Sequence, residues 1–253
     1  MPQYAVSSWS LDGLLQSGVP LLDIPAQLQY HGITTLEVCH FHLPTTDAAY
    51  LHVLRNRFAA TCVELFSVLI DAGDIATPDP AQRAIDTAFT QHWIEIAATL
   101  GARRVRIDAG QQLPTPEVIQ RSAEQLHILA QFAASRDVAV STENWRTTSK
   151  EPEVLLAILD ACPSQVGLCV DTGNAEATRD KYQALTQLLP RATSVHFNAR
   201  YTPAGLIDND DVQHCLSLFR AVEFDGVITL IYDRKQREWE GVEQLRDALN
   251  SYA

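Results

Sequence analysis

The chain has 253 residues, of which 46% are apolar and 20% charged, which is the composition of a globular protein with a sizeable core. Its 19 Lys and Arg residues against 31 Asp and Glu residues leave a formal net charge of -12. Such a field repels phosphate backbones and anionic lipid headgroups. We therefore expect neither a nucleic-acid partner nor a membrane partner.

No stretch of the chain approaches the roughly 18 to 20 uninterrupted apolar residues of a membrane span, and its first residues lack the pattern of a signal peptide. A cytoplasmic protein is the expectation. The five cysteines are odd in number, widely spaced and never in a CxxC pair. They predict buried thiols rather than a disulfide framework or a zinc knuckle.

Eight short β-branched or apolar runs recur from one end of the chain to the other, and each predicts a strand. In chain order they cover residues 4–8, 34–39, 63–69, 104–108, 138–143, 166–171, 193–197 and 227–232. Segments with helical spacing lie between them, such as residues 80–100 and 116–134. Thr115 before a proline predicts the start of the second of these helices, and Gly101 predicts the end of the first.

This alternation predicts a single-domain α/β protein, a (βα)8 TIM barrel over residues 1–253. Eight strand-helix units averaging about 30 residues, with no linker between them, match the usual size of that fold. A doubly wound open sheet is the alternative. That fold would normally have a glycine-rich turn after the first strand, and residues 7–10 read SSWS.

Polar residues end three consecutive predicted strands, and active sites of such barrels lie at the carboxyl ends of the strands. Successive side chains of a strand point in opposite directions, and on this alternation Glu143, Asp171 and His196 are all expected to face inward. A single Glu, Asp or His at the end of a strand more often forms a hydrogen bond with a loop than binds a metal ion. Three on adjacent strands favour a site for a divalent metal ion such as Mn, Mg, Co or Zn.

The motifs around these residues resemble the xylose isomerase-like superfamily of barrels. They are DVAVSTEN at residues 137–144, DTGN at residues 171–174 and Val-His at residues 195–196. In its epimerase-like members, a Glu, an Asp, a His and a second Glu on strands five to eight bind one metal ion. The resemblance therefore implies that Glu143, Asp171 and His196 are ligands, whereas Ile231 stands where the second Glu is expected.

Two further positions depart from the family pattern, since Asn174 and Asn198 replace a His and a Lys that many members carry. Without the eighth-strand Glu, the two-base mechanism of the epimerases needs another acid or base. Asp233, His40 or His42 could fill that role, and we predict Asp233 beside Glu143, because it lies two residues beyond Ile231 on the same side of the strand. A surface Asp that pairs with a neighbouring cation is the alternative.

Further polar residues follow other predicted strands. His40 and His42 could form a proton-transfer pair or lie exposed in a loop. Arg106 could be balanced by Asp108 or could anchor an anionic substrate. The residues predicted to bind substrate are Glu37, His40, Arg106, Asn174 and Arg200.

The resemblance implies a divalent-metal-dependent isomerase or epimerase that acts on a small sugar or sugar-like polyhydroxy carbonyl compound through an enediolate. Glu143 would be ligand and base. A metal-dependent lyase or dehydratase is the first alternative, because it needs only one base. A barrel that has lost catalysis and binds a sugar or a partner protein is the second. For the enzyme, the expected partner is a carbohydrate-like small molecule. A homodimer is possible.

Overall fold

The eight predicted strands form, and they pair in chain order into one closed parallel barrel. The computed structural model describes residues 3–250. The strands are β1 Gln3–Ser7, β2 Thr35–Cys39, β3 Glu64–Ile70, β4 Arg104–Ile107, β5 Ala139–Glu143, β6 Gly167–Asp171, β7 Ala192–Phe197 and β8 Val227–Leu230. Because β8 pairs with both β7 and β1, the sheet has no free edge. The predicted TIM barrel is confirmed.

Helices connect the strands around the outside. They are α1 Asp12–Gln16, α2 Ile24–Tyr30, α3 Ala48–Thr61, α4 Pro80–Leu100, α5 Pro116–Ala134, α6 Arg146–Ser149, α7 Pro152–Ala161, α8 Lys181–Leu188, α9 Asn209–Ala221 and α10 Glu238–Asn250. Short 3-10 helices occur at Ser8–Leu11, Leu21–Asp23, His40–His42, Asn174–Ala177 and Leu189–Arg191. In the described range, no helix has the length and apolar character needed to span a bilayer.

The two long helices begin and end where the sequence predicts. The Thr115 hydroxyl accepts a hydrogen bond from the Val118 amide at 3.3 Å, which caps the start of α5. Gly101 ends α4 with φ +80°, a left-handed conformation that costs glycine little. Local sequence therefore suffices to place these helix ends.

The barrel divides its buried side chains into two sets. Outward-facing residues such as Val68, Val105 and Val170 are fully buried against the helices. Ala5, Phe66 and Val227 pack together as a separate cluster inside the barrel. The upper part of the interior is left for polar side chains.

The last strand ends earlier than predicted. The Ser10 hydroxyl donates to the Leu230 carbonyl at 2.9 Å and accepts from the Tyr232 amide at 2.8 Å, so a side chain replaces a strand partner there. The Ile231 amide still donates to the Phe197 carbonyl at 3.0 Å. These contacts hold Ile231 at the mouth of the barrel.

Candidate active site

A cavity of about 620 Å³ opens at the carboxyl end of the barrel. Every strand, or the residue that follows it, contributes a side chain to its wall: Ser7, Cys39, Leu69, Arg106, Glu143, Asp171, His196 and Ile231. This is the end of the fold where barrel enzymes place their active sites.

His196 lies at the centre of the polar groups in this cavity. Its Nε2 atom is 2.7 Å from Oε2 of Glu37, across the barrel on β2. Its Nδ1 atom is 3.7 Å from Oε1 of Glu143 and 3.8 Å from Oδ2 of Asp171. Burial alone would lower the pKa of the imidazole, but Cys169, Glu37 and Glu143 around it hold that pKa well above its ordinary value.

Glu143 is held between positive and polar partners. The Asn174 side-chain amide donates to its Oε1 at 2.8 Å, and Nε of Arg106 lies 2.9 Å from its Oε2. Burial would raise the pKa of this carboxyl, but the charges of Arg106 and His196 outweigh it and the net shift is downward. Glu143 is therefore ionised at neutral pH.

Asp171 is fixed by its neighbours at the end of β6. The Asn144 side chain donates to the Asp171 carbonyl at 2.9 Å and accepts from the Asp171 amide at 2.7 Å. Oδ1 of Asp171 accepts from the Asn174 amide at 2.7 Å. Burial, reinforced by the charge of Glu143, raises the pKa of Asp171 to about 7.

The barrel register sets which of these side chains are level with each other. Glu143 pairs with Cys169, and Asp171 pairs with His196. Within residues 3–250, one set of three candidate ligands has its ligand atoms all within 4.8 Å of one another, and it consists of Glu143, Cys169 and His196. The tightest trio thus contains a thiol that the sequence predicted only to be buried.

Two pairs of these donors have the spacing of ligands that share one cation, and His196 belongs to both. Two ligands about 2.1 Å from the same ion lie roughly 3.0 to 4.2 Å apart, depending on the angle between them. The distances from Nδ1 of His196 to Glu143 and Asp171 fall inside that range. When the ring is neutral and Nε2 donates its proton to Glu37, the lone pair of Nδ1 faces the carboxylates, as in a metal-binding histidine supported by a second carboxylate. A bound cation would take the place of the second ring proton that the raised pKa of His196 retains.

The residues predicted to bind substrate divide into two groups. His40, Arg106 and Asn174 line the cavity. Glu37 and Arg200 are not among the described residues that line the cavity. Glu37 is used by His196, and the exposed guanidinium of Arg200 donates to Glu176 at 2.9 to 3.1 Å. In this structure both side chains are engaged by other residues, and their role in binding substrate stays a prediction.

The two histidines after β2 point in different directions. His40 lies on the cavity wall, and its Nδ1 accepts from the Asp71 amide at 3.3 Å. Both ring nitrogens of His42 are occupied, by Ser8 at 2.8 Å and by Asp12 at 3.0 Å. They are therefore not a proton-transfer pair.

Asp233 and Ile231 differ in their exposure. Asp233 is exposed at the rim of the cavity, where the Asn198 side-chain amide lies 3.4 Å from its Oδ2. Ile231 is buried and lines the cavity below it. The region after the eighth strand therefore offers an aliphatic side chain in the cavity wall and a carboxylate at the rim.

Two cavity residues were missed by the sequence reasoning. Asp71 directly follows β3 and lies 2.5 Å from Nη1 of Arg106, so it shares that charge with Glu143. Arg146 stacks on Trp145, with 3.9 Å between its guanidinium carbon and the ring centre, and lies 3.3 Å from Asp108. The position of Asp71 at the end of an apolar run is the same signal that identified Asp171.

A protein-family model described as xylose isomerase-like TIM barrel matches residues 25–252. The chain belongs to that family. A search of curated proteins finds no match.

Several solved structures share the fold. L-ribulose 3-epimerase has a TM-score of 0.79 at 17% identity, with 100% of this chain and 96% of that chain covered. The IolI protein with a bound zinc atom has a TM-score of 0.75 at 15% identity, with 99% of each chain covered. A probable 3-DHS dehydratase from Bacillus anthracis has a TM-score of 0.74 at 14% identity, covering 97% and 98%. At such identities the likeness shows the fold alone.

Proposed function

We propose that this barrel is a divalent-metal-dependent isomerase or epimerase of a small sugar or sugar-like polyhydroxy carbonyl compound. The observation that carries the proposal is the placement of His196, whose Nδ1 faces Glu143 and Asp171 while its Nε2 is held by Glu37. The similar structures of L-ribulose 3-epimerase and of a zinc-containing barrel support it.

Glu143, Asp171 and His196 would hold the ion, with zinc, manganese, magnesium and cobalt as candidates. Such an ion supplies Lewis-acid stabilisation of negative charge on a substrate oxygen. The chain itself must orient the substrate and move the proton.

Glu143 is the proposed base. Arg106 keeps its carboxyl ionised, and Asn174 orients it by donating to Oε1. In this position Glu143 would remove the proton from the carbon next to the substrate carbonyl, which yields an enediolate. Asp233, at the rim beyond Ile231, is the proposed acid that returns a proton from the other side.

A dehydratase is the second candidate, and Ile231 favours it. Elimination needs one base, so an aliphatic residue in place of a second carboxylate on β8 does not prevent it. The fold shared with a probable dehydratase is consistent with this route. The third candidate, a barrel that binds a sugar without turning it over, would show no proton exchange. Cytoplasmic location and a homodimer stay predictions.

Incubation in D2O with a panel of unphosphorylated ketoses, including L-ribulose, distinguishes these functions. We expect deuterium to enter beside the carbonyl of at least one ketose, and an isomeric product to form. Glu143→Gln should lower the exchange rate by about 10² to 10⁴, the usual contribution of a general base. Asp233→Asn should leave exchange largely intact but reduce the yield of epimer.

The products separate the outcomes further. An unsaturated product with exchange at the same carbon would establish the dehydratase instead. Binding of a ketose without exchange in the metal-loaded protein would contradict both catalytic proposals.

A further inference from the structure

The thiol of Cys169 lies next to the proposed metal ligands. Cys169 stands beside Glu143 in the barrel register, two residues before Asp171 on β6. Its side chain is 2% exposed and forms no disulfide. Its Sγ atom, an oxygen of Glu143 and a ring nitrogen of His196 lie within 4.8 Å of one another.

The proposed metal site has fewer protein ligands than such sites commonly have. A metal ion in a protein commonly has four ligands, and Ile231 gives β8 an aliphatic side chain in the cavity wall. Oε2 of Glu143 is buried and forms an ion pair with Nε of Arg106 at 2.9 Å, without the geometry of a hydrogen bond. A buried carboxylate, a thiol and an imidazole whose donor atoms lie this close together are the environment of a cation rather than of an apolar core.

We propose that Cys169 is a metal ligand, and that it supplies from β6 the donor that β8 lacks. The thiol would bind as a thiolate, with its proton released to solvent. This rests on the proposed metal site and specifies its chemistry. A site with one thiolate, one imidazole and carboxylates prefers zinc or cobalt to magnesium, since magnesium is a hard cation that thiolates bind weakly.

Zinc-loaded protein tests the ligand without any substitution. X-ray absorption at the zinc edge should show a sulfur scatterer at about 2.3 Å, beside nitrogen and oxygen scatterers at about 2.0 to 2.2 Å. A shell of nitrogen and oxygen alone in stoichiometrically loaded protein would overturn the role of Cys169 and leave the proposed metal site standing.

Cobalt provides the matched comparison between variants. Wild type loaded with one equivalent of Co²⁺ should show a thiolate-to-cobalt charge-transfer band, and Cys169→Ser should lack it. Cys39→Ser is the control, because Cys39 is an equally buried thiol, also 2% exposed, that lines the cavity but is outside the trio. Its band should match that of wild type.

Affinity gives the third measurement. Cys169→Ser should weaken zinc binding at least about tenfold, the smallest effect usual for groups that only support a ligand. Equal zinc affinity in Cys169→Ser and wild type would count against the proposal. If wild type binds neither zinc nor cobalt, the metal-dependent function fails together with the role of Cys169, which separates this result from failure of the thiol alone.

Discussion

The imidazole of His196 on β7 is bound across the barrel by the carboxylate of Glu37 on β2, with 2.7 Å between Nε2 and Oε2. Both side chains are buried, so neither has solvent as a competing partner. The contact leaves Nδ1 of His196 to face the cavity. Glu37 is thus a positioning residue in the proposed site.

Replacing Glu37 by Gln removes the charge that supports His196 but keeps the shape of the side chain. We expect zinc or manganese affinity to fall by about 10-fold to 100-fold, as for other groups that orient a metal-binding histidine. Isothermal titration measures this. Glu64→Gln is the control, because Glu64 stands at the start of β3 and pairs with the exposed Arg103. The metal affinity of this variant should equal that of wild type. Equal affinities of Glu37→Gln and wild type would show that the contact does not support metal binding.

Arg106 is the buried cation that compensates Asp71 and Glu143. Arg106→Met should lower the free energy of unfolding by about 3 to 5 kcal/mol, because the buried carboxylate of Glu143 and the half-buried carboxylate of Asp71 lose their partner. Arg103→Met removes an exposed ion pair with Glu64 and should cost less than about 1 kcal/mol. Urea unfolding of both variants tests the difference. Similar losses would mean that Arg106 contributes no more than a surface charge.

Asp108 predicts how stability depends on pH. Burial, with the charges of Asp71 and Glu143, raises its pKa from 3.8 to about 7. Between these values the folded protein keeps a proton that the unfolded chain has lost, so this group's contribution to stability falls as pH rises from about 4 to about 7. Above pH 7 the full penalty of an ionised buried carboxyl remains.

Asp108→Asn removes that titration. Thermal unfolding at pH 4.5 and at pH 8 measures the Tm difference, variant minus wild type. We expect this difference to be more positive at pH 8 than at pH 4.5. A fully exposed change, Glu117→Gln, serves as the reference for surface charge. A Tm difference that is constant with pH, or that favours the variant at low pH, would contradict the raised pKa of Asp108.

Ile231→Glu restores the donor expected from the family on β8. Without metal, the new carboxylate should destabilise the protein by a few kcal/mol, because it is buried at a wall that is now aliphatic. Mn²⁺ or Zn²⁺ should reverse this loss and raise Tm more than in wild type. Leu69→Glu places a carboxylate on the β3 side of the same cavity and should gain no such metal response. If Ile231→Glu loses the same stability with and without metal, the result would favour a barrel that binds no cation at this site.

Short-range patterns were enough for the fold and for part of the site. Each apolar run became a strand to within two residues, because a buried parallel strand requires such residues whatever surrounds it. Alternation placed Glu143, Asp171 and His196 inside the barrel, since successive side chains of a strand point to opposite faces. The sequence also predicts that Ile231 stands where the family has a Glu, and Ile231 does line the cavity.

The relative heights and partners of these side chains depended on tertiary structure. Alternation along a strand gives the face of a residue but not its register against other strands, which barrel closure and local irregularities set. Irregularities beside Glu37 and before Cys169 are part of that register. The register of β5 against β6 places Cys169, not Asp171, level with Glu143, and closure of the barrel brings Glu37 to His196. No local pattern records a contact between residues 159 positions apart, so only the folded barrel decides it.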